Sequence, residues 1–87
     1  MLDNHTLSVL DDVEAERRKQ DKKWGTQTHT DPVWLTILSE EVGESAQEIL
    51  TQEFGASAKG HGNLREELIH SAAVLVAWIE DIDRSAA

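Results

Sequence analysis

This chain is expected to be all-α. Apolar residues recur three and four positions apart along its segments, glycine and polar stretches separate those segments, and capping signatures stand where helices should begin. From about Leu7 to Lys23, Leu7, Leu10 and Val13 form a thin apolar stripe among charges. The helix ends on Arg17, Arg18, Lys19, Lys22 and Lys23, where positive charge suits the helix dipole. Trp24-Gly25 stops it, and the polar stretch to Thr30 reads as a loop.

Asp31-Pro32 predicts an N-cap followed by proline at the first helical position, and Val33, Trp34, Ile37, Leu38, Val42, Ala46, Ile49 and Leu50 keep helical spacing behind it. This second helix should end near Glu53, because Phe54 to Gly62 holds three glycines among small residues and reads as a mobile link. Asn63 followed by Glu66 has the form of a capping box for a third helix reaching about Asp83. The middle of that helix, Ala72 through Ile79, is apolar without a break and so should be buried on all sides. Three helices cannot enclose it, which leads to a three-helix protomer that completes a four-helix-bundle core by homo-oligomerisation, two second and two third helices together in a homodimer or homotetramer. Ala72, Ala73 and Ala77 would let the helices approach closely.

Eighty-seven residues make one small domain, 1–87, near the size at which a lone core is marginal. Seventeen acidic against eight basic residues give a net charge of -9, which argues against nucleic-acid polymers and anionic membranes as partners. With no cysteine, disulfides, thiolate catalysis and thiolate zinc sites are excluded. Met1 to Leu10 lacks the form of a signal peptide and no apolar run approaches ~18 residues, so a cytoplasmic location is expected.

Two acidic clusters carry the chemistry: Glu40, Glu41 and Glu44 on the second helix, and Glu66, Glu67 and His70 on the third. Helical spacing sets Glu40 and Glu41 beside Glu44 and sets Glu67 beside His70. Like charges so placed oppose the helix, so the stripe is either a solvated face or a site with a cation to neutralise it. Carboxylates with one imidazole suit Mg²⁺ or Mn²⁺, which keep water positions open for a substrate phosphate.

Glu40-Glu41-Val42-Gly43-Glu44 followed by Glu66-Glu67-Leu68-Ile69-His70 resembles the MazG-like, all-α nucleoside triphosphate pyrophosphohydrolases, with their Glu-x-x-Glu and Glu-x-x-Asp motifs on antiparallel helices. Lys23-Trp24-Gly25-Thr26-Gln27-Thr28-His29 and Trp34-Leu35-Thr36-Ile37-Leu38 are similar to the region ahead of the first motif in small bacterial and phage members. The likeness spans about Glu16 to Ile82. It implies cleavage of an NTP or dNTP to the monophosphate and pyrophosphate with Mg²⁺ or Mn²⁺. Glu41, Glu44, Glu67 and His70 would be metal ligands, and Glu40 or Glu41 the catalytic group that activates water. His70 departs from the family's Asp, a neutral nitrogen in place of a charged oxygen.

Trp24, Gln27 and Trp34, with His29 nearby, stand at the entry to the second helix as candidates for binding a base. Lys22, Lys23, Lys59 and Arg65 are candidates for phosphate. Beside these stand plainer readings: Trp34 and Trp78 as core aromatics, His70 as a half-buried histidine bonded to a carboxylate, and His5, His29 and His61 as surface residues. Two other functions compete. Glu67-x-x-His70 with Glu44, doubled by a two-fold axis, reproduces the ligand set of a di-iron carboxylate bundle. Alternatively the chain is a helical nucleotide- or protein-binding module that lost its chemistry at His70.

Overall fold

The computed structural model describes residues 1–55 and 63–86 and contains three helices there: α1 Asn4–Trp24, α2 Asp31–Phe54 and α3 Leu64–Ala86. The expectations placed on residues 56–62, Lys59 and His61 among them, lie outside the described residues.

α1 begins earlier than its apolar stripe, because Asp3 caps it: the Asp3 carboxylate accepts the Thr6 N–H at 2.8 Å. It ends at Gly25, whose φ of 71° is open to glycine at little cost and whose N–H donates to the Asp21 carbonyl. At α2 the cap is Thr30, and Asp31 is already helical. The Asp31 carboxylate instead accepts the indole N–H of Trp78 at 3.0 Å. Proline stands in the first turn as expected.

The start of α3 is a modified capping box. Asn63 Oδ1 accepts the Glu66 N–H at 3.2 Å, while the Asn63 amide donates to the Glu66 carboxylate at 2.6 Å. The Asn63 backbone N–H, which a standard box would give to Glu66, donates to Glu48 Oε2 of α2 at 2.7 Å. α2 thereby caps α3.

α3 lies in the middle. It packs against both α1 and α2, whereas those two do not pack on one another. Trp34 meets Asp81, Glu41 meets His70 and Glu48 meets Asn63, so residue numbers descend towards and along α3 as they ascend along α2 and the two helices are antiparallel. Trp34, Val74 and Ala77 form the core, with Ile37, Leu38 and Trp78 packed against it. Trp34 is 2 % exposed and its indole N–H donates to Asp81 Oδ2 at 2.7 Å, so the large ring is buried without an orphaned donor. Asp81 Oδ2 also accepts the His29 N–H at 3.0 Å, and these hydrogen bonds hold its pKa below the ordinary aspartate value.

The segment from Ala72 to Ile79 is not enclosed on all sides within one chain. Ala73, Val74 and Ala77 are buried, but Leu75 is 43 % and Ile79 57 % exposed, because α1 and α2 cover only part of the α3 circumference. Trp78 likewise sits half-buried at the edge of the core, its N–H bound to Asp31. Val42, Ile49 and Leu68 are further exposed apolar side chains of α2 and α3. No helix among the described residues is long and apolar enough to cross a membrane.

Candidate metal centre

Antiparallel packing of α2 on α3 brings the two acidic motifs face to face. Glu41, Glu44, Glu67 and His70 each offer a ligand atom, and those atoms lie within 4.8 Å of one another. All four predicted metal ligands are therefore gathered in one place. Glu40, one residue from this stripe, is exposed and stands outside the group.

The cluster is electrically frustrated. Glu41 Oε2 and Glu67 Oε2 are buried atoms with no hydrogen-bond partner. Burial first, and then the neighbouring Glu44 carboxylate, push the Glu67 carboxyl above the ordinary glutamate value; nearby His70 acts in the opposite direction. Burial and then Glu44 raise Glu41 in the same way, again with His70 opposing. A cation among these carboxylates would offset their mutual repulsion and give the partnerless oxygens a partner. The donor set of three carboxylates and one imidazole fits a divalent cation of hard or borderline character.

His70 stands at the centre of the charges. Its Nδ1 lies 3.4 Å from Glu67 and 3.8 Å from Glu41, while its Nε2 lies 3.6 Å from Glu16 and 3.8 Å from Glu66. Glu16 belongs to α1, so all three helices reach the ring.

Because α1 and α2 do not pack together, a cleft of about 510 Å³ opens between them over α3. Glu16, Lys19, Gln20 and Lys23 line its α1 wall at helical spacing, facing Glu41, Glu44 and His70. A second hollow of about 330 Å³ shares Gln20, Trp24 and Glu41 with the cleft and adds Gln27, His29 and one edge of Trp34. The candidate base-binding residues Trp24, Gln27 and Trp34 are thus brought together beside the acids.

Their separate settings differ. Trp24 is largely exposed, with the Lys23 ammonium 4.8 Å from its ring centroid. Gln27 Oε1 lies 2.9 Å from His29 Nε2, and His29 meets Trp34 edge to face at 4.9 Å. Trp34 is a core residue, as the plainer reading had it, and offers no free face for stacking. Of the phosphate candidates, Lys23 lines the cleft, whereas Lys22 is exposed and lines neither hollow. Arg65 is engaged by Asp12 at 2.7 Å, on the Nε2 side of His70.

One contributor has no counterpart in the sequence reading, Glu16 on α1; Lys19 belongs to the run Arg17 to Lys23, which reads chiefly as a solvated helix end with phosphate contact as the lesser alternative. Glu16 and Lys19 share a stripe with Gln20 and Lys23, a spacing visible in the chain, but nothing in the spacing tells which face of α1 meets α3. No protein-family model, curated protein or solved structure matches this chain.

Proposed function

We propose that this chain is a Mg²⁺- or Mn²⁺-dependent pyrophosphohydrolase that converts a nucleoside or deoxynucleoside triphosphate to the monophosphate and pyrophosphate, as part of cytoplasmic nucleotide-pool control. The observation that carries the reading is the pair of buried, partnerless oxygens of Glu41 and Glu67, within reach of Glu44 and His70, beside a cleft that Glu41, Glu44 and His70 line. The resemblance of both acidic motifs to the MazG-like enzymes supports it.

Glu44, Glu67 and His70 would hold the cation, with Glu41 as a further ligand. When bound, such an ion neutralises phosphate charge and acidifies a coordinated water. Where Glu41 is not itself bound to the ion, its place beside the other donors lets its carboxylate take the proton of a water aligned for attack on phosphorus. Exposed Glu40 is the alternative acceptor. The water oxygen bonds to phosphorus, the bridging P–O bond breaks, and pyrophosphate leaves. Lys23 and its α1 neighbour Lys19 face this space from the opposite wall and can bind phosphate oxygens. Trp24 and Gln27 can stack on the base and read its edge.

The exposed apolar side chains Val42, Leu68, Leu75 and Ile79 support a homodimer or homotetramer closed through α2 and α3. Incubation of the protein with each NTP and dNTP plus Mg²⁺ or Mn²⁺, with products resolved by chromatography, tests the activity. Monophosphate and pyrophosphate that disappear with chelator and in Glu44→Gln are expected. Iron content with visible absorption, and no turnover, would favour the di-iron bundle.

A second reading has its own observation. His70, set among four carboxylates, fills the middle of the cluster with its own ring, and a chain so arranged would be a nucleotide- or protein-binding module without hydrolysis. His70→Asp separates the two: gain of hydrolysis marks a degenerate site, and loss marks a working one.

A further inference from the structure

The part of the site least explained by its metal-ligand pattern is α1. His70 presents two nitrogens to two different groups of carboxylates. On the Nδ1 side are Glu67 at 3.4 Å and Glu41 at 3.8 Å, which together with Glu44 make up the converging donor set. On the Nε2 side are Glu16 at 3.6 Å and Glu66 at 3.8 Å. Those two are unequal. The Glu66 side chain is 54 % exposed and already holds the Asn63 amide, whereas that of Glu16 is 16 % exposed and stands between α1 and α3.

A neutral imidazole has one N–H and one lone pair, and the partner of the N–H decides which nitrogen is left to bind a metal. With the Nδ1 side holding the donor set, the N–H belongs on Nε2, where it needs an acceptor out of competition with water. Glu16 is that acceptor. At 3.6 Å the pair is just beyond a hydrogen bond, and the same Glu16 oxygen lies 3.8 Å from Lys19 Nζ, so the contact has to shorten when the site is loaded, as contacts in unloaded sites often do.

We propose that Glu16 is the positioning residue for His70: its carboxylate accepts the Nε2–H, fixes the tautomer, and turns Nδ1 toward a cation held with Glu41, Glu44 and Glu67. This rests on the metal reading given above and adds to it a role for α1, which becomes the outer support of a site whose direct ligands come from α2 and α3. A histidine can then replace the acidic ligand without leaving the ring free to turn.

Two measurements test it, neither depending on turnover. Mn²⁺ affinity is read from the signal of free Mn²⁺ by electron paramagnetic resonance, with circular dichroism checking the fold. Glu16→Gln, nearly isosteric, is expected to weaken Mn²⁺ about 10–100-fold. Glu14→Gln removes the same formal charge from an exposed position of α1 and is expected to change affinity by less than about 3-fold, since exposed charges are screened. The second measurement uses the unaltered protein: ring ¹⁵N resonances of His70 with Zn²⁺ as a diamagnetic probe, identified by their loss in His70→Gln. A proton on Nε2 and the metal on Nδ1 are expected. The opposite assignment, or equal Mn²⁺ affinity in Glu16→Gln and wild type while His70→Ala binds weakly, overturns the role of Glu16 and leaves the metal site standing. If Glu44→Gln and His70→Ala also bind Mn²⁺ like wild type, the metal reading itself falls, and the proposal falls with it. Should Glu16→Gln fail to fold, the ring spectrum alone decides.

Discussion

Replacing Glu67 by Gln should make the metal-free protein more stable and the metal-loaded protein less so. Glu67 faces Glu41 and Glu44 with ligand atoms no more than 4.8 Å apart. Two unit charges at that distance repel by roughly 0.9 kcal/mol in water and roughly 3.5 kcal/mol at an effective dielectric constant of ~20. The Glu67 side chain is 17 % exposed and His70 offsets part of the repulsion, so a net gain near 2 kcal/mol is expected from removing the charge. For a domain of this size that corresponds to a rise of ~8–16 °C in the unfolding midpoint with chelator present. Mn²⁺ at a hundred times its dissociation constant should stabilise the wild type by about 2.7 kcal/mol, and Glu67→Gln by far less. The assay is thermal unfolding of both proteins at one protomer concentration and neutral pH, with chelator and with Mn²⁺, so that the order of midpoints reverses between conditions. A chelated Glu67→Gln protein that melts below wild type would refute the reasoning. It would mean that the carboxylate is favourably held in the metal-free fold, with His70 as its fixed counter-charge.

The remaining expectations concern pH, core, cap and surface. Glu41 and Glu67 are both raised above the ordinary value of 4.5, so the folded chain keeps protons that the unfolded chain has lost. Their contribution to metal-free stability is complete below pH 4.5 and falls as pH rises through the raised values, a decline that urea titrations at stepped pH should register and saturating Mn²⁺ should suppress. Trp34→Ala removes the largest buried side chain and should cost about 3–5 kcal/mol in urea unfolding, while Trp34→Phe, which keeps a ring and loses the bond to Asp81, should cost less. Asn63→Ala should cost about 1 kcal/mol and loosen the first turn of α3, seen as faster amide exchange there. Ile79→Glu, at an exposed apolar position, should shift the protein to monomer in light scattering while leaving its helix content unchanged.

The helices were legible because they depend on local chemistry. Pro32 and the apolar spacing behind it located α2, and Asn63 with Glu66 located the start of α3. α1 begins before its apolar stripe, because the Asp3 cap rather than the first apolar residue sets its edge. The acidic motifs were legible as a pair, since helical periodicity fixes Glu41 beside Glu44 and Glu67 beside His70, and antiparallel packing does the rest. What spacing could not reveal was the direction from which a third element arrives. Glu16 and Lys19 read as members of a charged, solvated helix until α1 is laid against α3. Asp81 is the same case in reverse: within a run of acids near the end of α3 it looks like a surface charge, yet it is buried because Trp34 and His29 bring it two N–H groups. Arg65 looked available for phosphate because its partner Asp12 lies fifty-three residues away.

The placement of α3 between two helices that do not meet has a consequence for how the fold comes apart. α2 is joined to α3 through the tryptophan core, but α1 buries only Val13 among its described residues, and it is fastened by ion pairs such as Arg17 with Glu80 and Arg65 with Asp12. Apolar burial is insensitive to moderate salt, whereas exposed ion pairs are screened by it. Rising ionic strength is therefore expected to weaken the attachment of α1 to α3 before that of α2, to the extent that its ion pairs are reached by solvent. One wall of the cleft is thus held to the rest of the fold in part by charge, so what binds in the cleft should be more sensitive to salt than the tryptophan core is.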